Sequence, residues 1–269
     1  MQYSIHEIAK IFGNTPGAIR FYEEVGLVNP GRDGAGSRVY TKENIMELFY
    51  LRKYCSFGLK LREVVEYFND QNTKDLDAVS ALLSEKQKEA EQQARYYEKS
   101  AQWIRQYNEK ITSLESYVDI FHPVSVPDYY LLMDEDFVGK SPRQQSAVQK
   151  WIAVSPLSRI SVVSDFAGRR LEKQRIAFSI QRENAEEFCL PLPPCTEMLD
   201  KGRCIYTVVK LESRDFDMIR EEMYLDLISR MGNAGYAFSG RTVSNILFTH
   251  KIGGIQYKYF EVWLLCKNA

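Results

Sequence analysis

One run near residue 260 combines aromatic rings with a lone carboxylate: Ile255-Gln256-Tyr257-Lys258-Tyr259-Phe260-Glu261-Val262-Trp263-Leu264-Leu265. It reads as a β-strand, and a side-chain period of two puts Tyr257, Tyr259, Glu261, Trp263 and Leu265 on one face. A carboxylate between rings on such a face is costly unless it has a partner. A flat organic cation fits, held by ring faces and by charge. A lysine or arginine from elsewhere in the chain fits as well, and exposure at a sheet edge would remove the cost altogether. Tyr129, Tyr130, Phe178, Tyr206, Tyr236 and Phe238 are candidates for the same wall. Any single one serves equally well as core, so only the group has weight.

Other chemistries find less support. Cys189, Cys195 and Cys204 flank the break Pro191-Leu192-Pro193-Pro194, but their spacing fits no compact zinc pattern, and His6, His122 and His250 are the only histidines. No metal and no cofactor is expected. The chain lacks a Gly-rich phosphate loop and a Gly-x-Ser-x-Gly elbow. The one catalytic possibility is Glu261 as a general base, so no catalytic residue is assigned. Five cysteines at irregular spacing argue against a disulfide framework and for a reducing cytoplasm. No run is long and apolar enough to span a bilayer, and the first residues carry no apolar signal region. Net charge is −1, and residues 1–70 hold nine basic and nine acidic side chains, so nucleic-acid binding would have to rest on a local patch.

The elements that position these groups fall into three parts, 1–72, 73–121 and 122–269. In the first, Ile5, Ile8, Ala9 and Phe12 recur at helical spacing. Ser4 and Glu7 form a capping box before them. Gly13-Asn14 ends that helix, and Thr15-Pro16 opens a second, with Pro16 where a missing N–H costs nothing. Two short helices across a tight turn make a helix-turn-helix, whose second helix can enter a major groove. The Gly-rich stretch to Arg38-Val39-Tyr40 predicts a wing. Thr41 caps a third helix ending at Gly58, and a shorter one follows through Val64 and Phe68. From about Asp75 to Phe121 no Pro or Gly occurs, which predicts one long helix. Leu76, Leu83, Ala90, Tyr97, Ile104, Ile111 and Val118 fall at intervals of seven, a coiled-coil seam with a polar middle. Beyond Pro123, strands are expected at 125–133, 160–166 and 174–180 with a helix at 143–154. A second set follows, with strands at 204–211, 243–249 and 255–266 and a helix at 216–231. The repeated strand-helix-strand-strand order predicts a duplicated α+β domain with helices on one side of an antiparallel sheet.

Ile5-x-Glu7-Ile8-Ala9, Ile19-Arg20-Phe21-Tyr22-Glu23, Gly26-Leu27-Val28, Arg32, Gly36-Ser37-Arg38-Val39-Tyr40 and Phe57-Gly58-Leu59 resemble the winged-helix head of MerR-type transcription regulators over about the first seventy residues. Ala18 and Ser37 depart from that family's usual hydroxylated and aromatic residues. The resemblance implies a cytoplasmic homodimer, its long helix pairing antiparallel with its twin. It further implies binding to palindromic double-stranded promoter DNA, distortion of that DNA, and action on RNA polymerase at the promoter. It places DNA contacts at Thr15, Arg20, Tyr22, Arg38, Tyr40 and Lys60. Metal-sensing relatives carry cysteines at the start of the long helix, where this chain has Leu76 and Val79. The C-terminal part is similar to the effector-binding domain of gyrase-inhibitory-like, multidrug-binding proteins, which place a Glu at the strand position of Glu261. This implies a small-molecule effector, hydrophobic and with a cation as the charge-matched case, bound by Glu261, Tyr259, Trp263, Tyr257, Tyr206, Tyr130 and Phe178. The rival readings of this part are a small-molecule hydrolase and a protein-binding module.

Overall fold

Apolar spacing and caps act locally first. In the computed structural model, which describes residues 2–69, 76–133, 142–212 and 220–267, α1 (Ile5–Phe12) starts at the expected capping box. Glu7 N–H donates to Ser4 Oγ (3.3 Å), and Ser4 N–H donates to the Glu7 carboxylate (2.7 Å). Gly13 closes it in the left-handed region, φ 64°. Helix α2 (Pro16–Glu24) follows, then a two-stranded wing, β1 (Gly31–Arg32) with β2 (Arg38–Val39). The wing's turn is fixed by Asp33, whose Oδ1 accepts from the N–H groups of Ala35 (3.0 Å) and Ser37 (2.8 Å). Helices α3 (Lys42–Ser56) and α4 (Leu61–Asn69) complete the head. Its core joins Ile8, Ile19, Val28, Tyr40, Leu48 and Val64, all 2% exposed or less.

The long helix α5 spans Leu76–Thr112, 37 residues, and ends nine positions before the expected Phe121. Lack of Gly and Pro permits a helix but does not compel one. Thr112 Oγ1 donates to the carbonyls of Asn108 and Glu109, a local competitor to helix propagation. A 3-10 turn at Leu114–Ser116 follows, and Asp119 adopts φ 58°. Val118, expected as a heptad position, instead forms a bridge with Val208, which places Tyr117 and Val118 on the sheet. Two compact units divide the chain at 95/96, so that α5 contributes to both. Within the second, Tyr97 and Ile104 are 64% and 57% exposed, whereas Ile111 packs into the core.

The second unit is built on an antiparallel sheet of eight strands, counted over the described residues: β3 (His122–Val126), β4 (Tyr129–Met133), β5 (Arg159–Ala167), β6 (Arg170–Gln181), β7 (Thr196–Leu199), β8 (Gly202–Glu212), β9 (Phe238–Ile252) and β10 (Ile255–Cys266). The single strand expected at 125–133 is broken at Pro127-Asp128 into β3 and β4, which lie far apart in the sheet. The spatial order is β3-β8-β10-β9-β5-β6-β4-β7. It contains the expected duplication: β4-α6-β5-β6 and β8-α8-β9-β10 each lay their strands down in the same relative order and meet at β9·β5. Helices α6 (Pro142–Ala153) and α8 (Glu221–Asn233) are the two crossovers; the expected start of the latter, 216–219, lies outside the described residues. A short helix, α7 (Arg182–Glu187), and β7 were not expected from sequence. The register Val262–Ser244–Val162–Ile176 carries one face across both halves. On that face Phe260, Val262 and Leu264 pack with α8, and Phe178 and Ile180 pack with α6.

Candidate functional site

The β5·β9 ladder is short. It runs only from Asp165↔Arg241 to Val162↔Ser244, after which β5 stays with β6 and β9 with β10. Where the strands part, residues 158–160 and 245–247 line a cavity of about 720 Å³. Its other wall is the C-terminal part of α5: Trp103, Gln106, Tyr107 and Lys110. Trp103 and Tyr107 stack with ring centres 5.0 Å apart, and the Tyr107 hydroxyl donates to the carbonyl of Leu247 at 2.8 Å. A second groove of about 1070 Å³ runs along α6 and Pro191–Pro194, lined by prolines, Leu192, Gln144, Ser146, Cys195 and exposed Lys150, and holds none of the expected ligand residues.

Glu261 lies in the cavity wall and is 2% exposed. Strand period predicted its face, and β10 does divide as read: Tyr257, Tyr259 and Trp263 join one cluster, while Phe260, Val262 and Leu264 join the other. Its partner comes from within the chain. Lys110 Nζ and the Tyr206 hydroxyl (2.8 Å) donate to Oε1, and Arg159 Nη1 donates to Oε2 at 3.1 Å. The cations also lie over rings. Lys110 Nζ is 4.9 Å from the centre of Tyr206 and 5.9 Å from that of Trp263, and the Arg159 guanidinium is 5.5 Å from Trp263. Burial, then the negative charge of Glu261, pushes the Tyr206 phenol well above its ordinary range, so it remains a proton donor. The same two causes raise Tyr107.

Not all expected ligand residues gather here. Phe178 and Trp263 line the cavity and Tyr206 supports Glu261 from behind. Tyr259 is stacked on Phe248 at 4.4 Å, and Tyr257 lies under Lys210 at 4.3 Å; both are outside the lining. Tyr130 packs with the α6 cluster, and its neighbour Tyr129, on the other face of the strand, takes the cavity position. Phe238 packs against Phe166 beneath α8. Missed from sequence were Lys110, Arg159, Trp103, Tyr107 and Asn245. Trp103, Tyr107 and Lys110 share a helix face at spacings of four and three, a signal that the heptad reading of α5 obscured.

In the head, Thr15 caps α2, its Oγ1 accepting from Ala18 N–H at 3.2 Å. Arg20 and Lys60 are exposed, the latter just before α4, where its backbone N–H donates to Glu63 at 2.6 Å. Tyr22 is half-buried against the head core. Arg38 is exposed and paired with Glu23, Nε to Oε2 2.6 Å. Tyr40 does not fit the expectation of a DNA contact. It is 0% exposed, bridged to Tyr3 by two backbone hydrogen bonds of 2.9 Å, and its hydroxyl donates to Glu23 Oε1. The aromatic at the base of the wing is spent on the core. Burial, then that hydrogen bond, raises its phenol.

Among the described residues no group of three or more His, Cys, Asp or Glu side chains is arranged to hold a metal ion, and the five cysteines are free thiols. No helix there is long and apolar enough to cross a membrane.

Residues 3–71 match the MerR HTH family regulatory protein. The HTH-type transcriptional regulator CueR of Escherichia coli O6:H1 is 43% identical over 93 residues, 33% of this chain and 68% of the relative. An uncharacterized HTH-type transcriptional regulator of Pseudomonas aeruginosa is 31% identical over 120 residues, 43% of this chain and 77% of the relative. Among solved structures, the EcmrR-DNA complex in EcmrR-RPo aligns over 98% of this chain and 100% of that chain, with 13% identity and a TM-score of 0.35. SAV2435 bound to tetraphenylphosphonium aligns over 55% and 94%, with 9% identity and a TM-score of 0.31. Sequence identity of this extent, covering two thirds or more of both relatives, establishes that the chain belongs to the MerR HTH family of transcription regulators.

Proposed function

We propose that the protein is a small-molecule-responsive transcription regulator. It binds palindromic promoter DNA as a homodimer in the cytoplasm, distorts that DNA for RNA polymerase, and takes its effector in the cavity between β5, β9 and α5. The observation that carries this reading is the double membership of α5. The helix begins in the unit that holds the helix-turn-helix and ends as a wall of the cavity. A molecule that fills the cavity therefore acts on a helix whose other end belongs to the DNA-reading unit. Bending a site costs a few kcal/mol, so a comparable difference in effector affinity between two states is enough to switch the outcome. Tyr97 and Ile104, exposed on the heptad seam, are the side chains a second copy would cover.

Catalysis is the weaker reading. Glu261 is 2% exposed and its oxygens are engaged by Lys110, Arg159 and Tyr206. A water for it to activate would first have to displace one of these. We assign no catalytic residue.

Selection of bound sequences from random DNA, followed by footprinting with the full chain, tests the reading. A palindromic site is expected, and Arg20→Ala lowers its affinity and reduces the slope of log K against log salt by about one unit. Recovery of no preferred sequence would overturn DNA recognition by this chain.

A further inference from the structure

Resting on the reading of the cavity as the effector site, the charges in its wall decide what kind of effector fits. We propose that the cavity takes a flat aromatic acid, a monoanion, and excludes organic cations. Lys110 and Arg159 face Glu261 in the lining, so two cations against one carboxylate leave the wall with one positive charge in excess. The remaining lining is aromatic, apolar or neutral polar.

An organic cation needs a ring face and a negative charge, and here both are held by the protein's own cations. Lys110 lies over Tyr206 and Trp263, Arg159 lies over Trp263, and both reach the carboxylate. A cationic ligand would have to expel one of them, leaving it half-buried without its partner, at 32% exposure for Lys110 and 22% for Arg159. An acid meets the opposite situation. Glu261 engages one N–H of a guanidinium that carries five, and one direction of an ammonium that carries three. The acid group can add to this cluster and bring the wall to neutrality, while Trp103, Tyr107 and Phe178 provide area for a ring system.

A second observation at the same wall also points to a ligand. Asn245 stands across from Glu261 in the β9·β10 register, is 4% exposed, and its Oδ1 has no hydrogen-bond partner in the protein. An unmet buried amide oxygen is costly. A hydroxyl or N–H on the same aromatic frame would satisfy it.

The test uses three ligands of one shape: 1-naphthylacetate, 1-naphthylacetamide and (1-naphthylmethyl)trimethylammonium. Calorimetric titration of the full chain reads occupancy, since the naphthyl ring absorbs and emits in the same range as tryptophan. The acetate should bind about tenfold or more tighter than the ammonium compound. Lys110→Met brings the wall to neutrality, so it should weaken the acetate about tenfold and strengthen the ammonium compound, with the acetamide little changed. Arg159→Gln should give the same crossover from the opposite cation. Tightest binding of the ammonium compound to the wild type would overturn the inference and leave the effector reading standing. Equal weakening of all three ligands in both variants would reduce Lys110 and Arg159 to scaffold and overturn it as well. Binding of none of the three would overturn this inference, while the effector reading would stand or fall with ligands of other shapes.

Discussion

Each unit contains a carboxylate held by a tyrosine hydroxyl and by a cation, and the two differ in depth. In the head, Glu23 joins Tyr40 to Arg38, and Arg38 remains 38% exposed. In the second unit, Glu261 joins Tyr206 to Lys110 and Arg159, and its side chain is 3% exposed. The chemistry is the same and the dielectric surroundings are not. Near the surface an ion pair is screened by water and salt, so a phosphate meeting Arg38 would displace Glu23 at little cost. Inside, each charge depends on the others, because removing one leaves the rest desolvated and unpaired. One cluster suits reversible exchange with DNA; the other suits a preformed wall.

Glu261→Ala should give the largest effect. It leaves two cations and a buried phenol without an acceptor, and the second unit should lose about 3 kcal/mol, the lower end for a broken buried pair because both cations keep some contact with water. Glu23→Ala should cost the head about 1 to 2 kcal/mol, mostly through the stranded hydroxyl of Tyr40. Urea denaturation, following each unit's own transition, compares the two. Equal losses would erase the distinction.

The tyrosines sharpen it. Both phenols are raised above their ordinary value, chiefly by burial. A group raised in the folded state adds stability that is complete below its unfolded pKa, about 10, and is lost as pH rises beyond it. Stability of both units should therefore fall above about pH 10. Tyr206→Phe should cost about 1 to 2 kcal/mol at neutral pH and lessen the alkaline decline of the second unit, to which the raised phenols of Tyr107 and Tyr224 also contribute, while leaving that of the head unchanged. An unchanged decline in that variant would show that Tyr206 does not carry it.

Arg38→Ala should be the mildest for folding, because its exposed pair with Glu23 is screened by water. The effect expected from the proposed function is on DNA: lower affinity and a salt slope reduced by about one unit. A clear drop in melting temperature without DNA would place Arg38 in the structural framework.

The head was legible because its signals are local. Ser4 with Glu7, Pro16 after Thr15, and Asp33 at the wing all act within four residues. The strand pattern of 255–266 was legible for the same reason. The partners of Glu261 were not, since Lys110 and Arg159 lie 151 and 102 positions away and only the tertiary fold selects them. The end of α5 was obscured by a heptad count that continues through Val118 although the backbone has already left the helix. Ile111 shows the hazard in small: its spacing marks it as seam, and its packing marks it as core. Tyr40 was misplaced because an aromatic beside a basic residue looks alike whether it faces DNA or the interior.

The outer strands of the sheet have a consequence of another kind. Strand β3 leads into the first repeat but pairs with β8 of the second, and β7 leads into the second but pairs with β4 of the first. Each lobe is thus hemmed by a ribbon borrowed from its sibling. A fragment cut at the prolines 191–194 would keep β3 with nothing to hold it and would leave β4 bare along one side, an open edge that invites pairing with other chains. The reciprocal loan makes the two lobes inseparable. Either both close or neither does, and the cleft at their junction exists only in the completed pair.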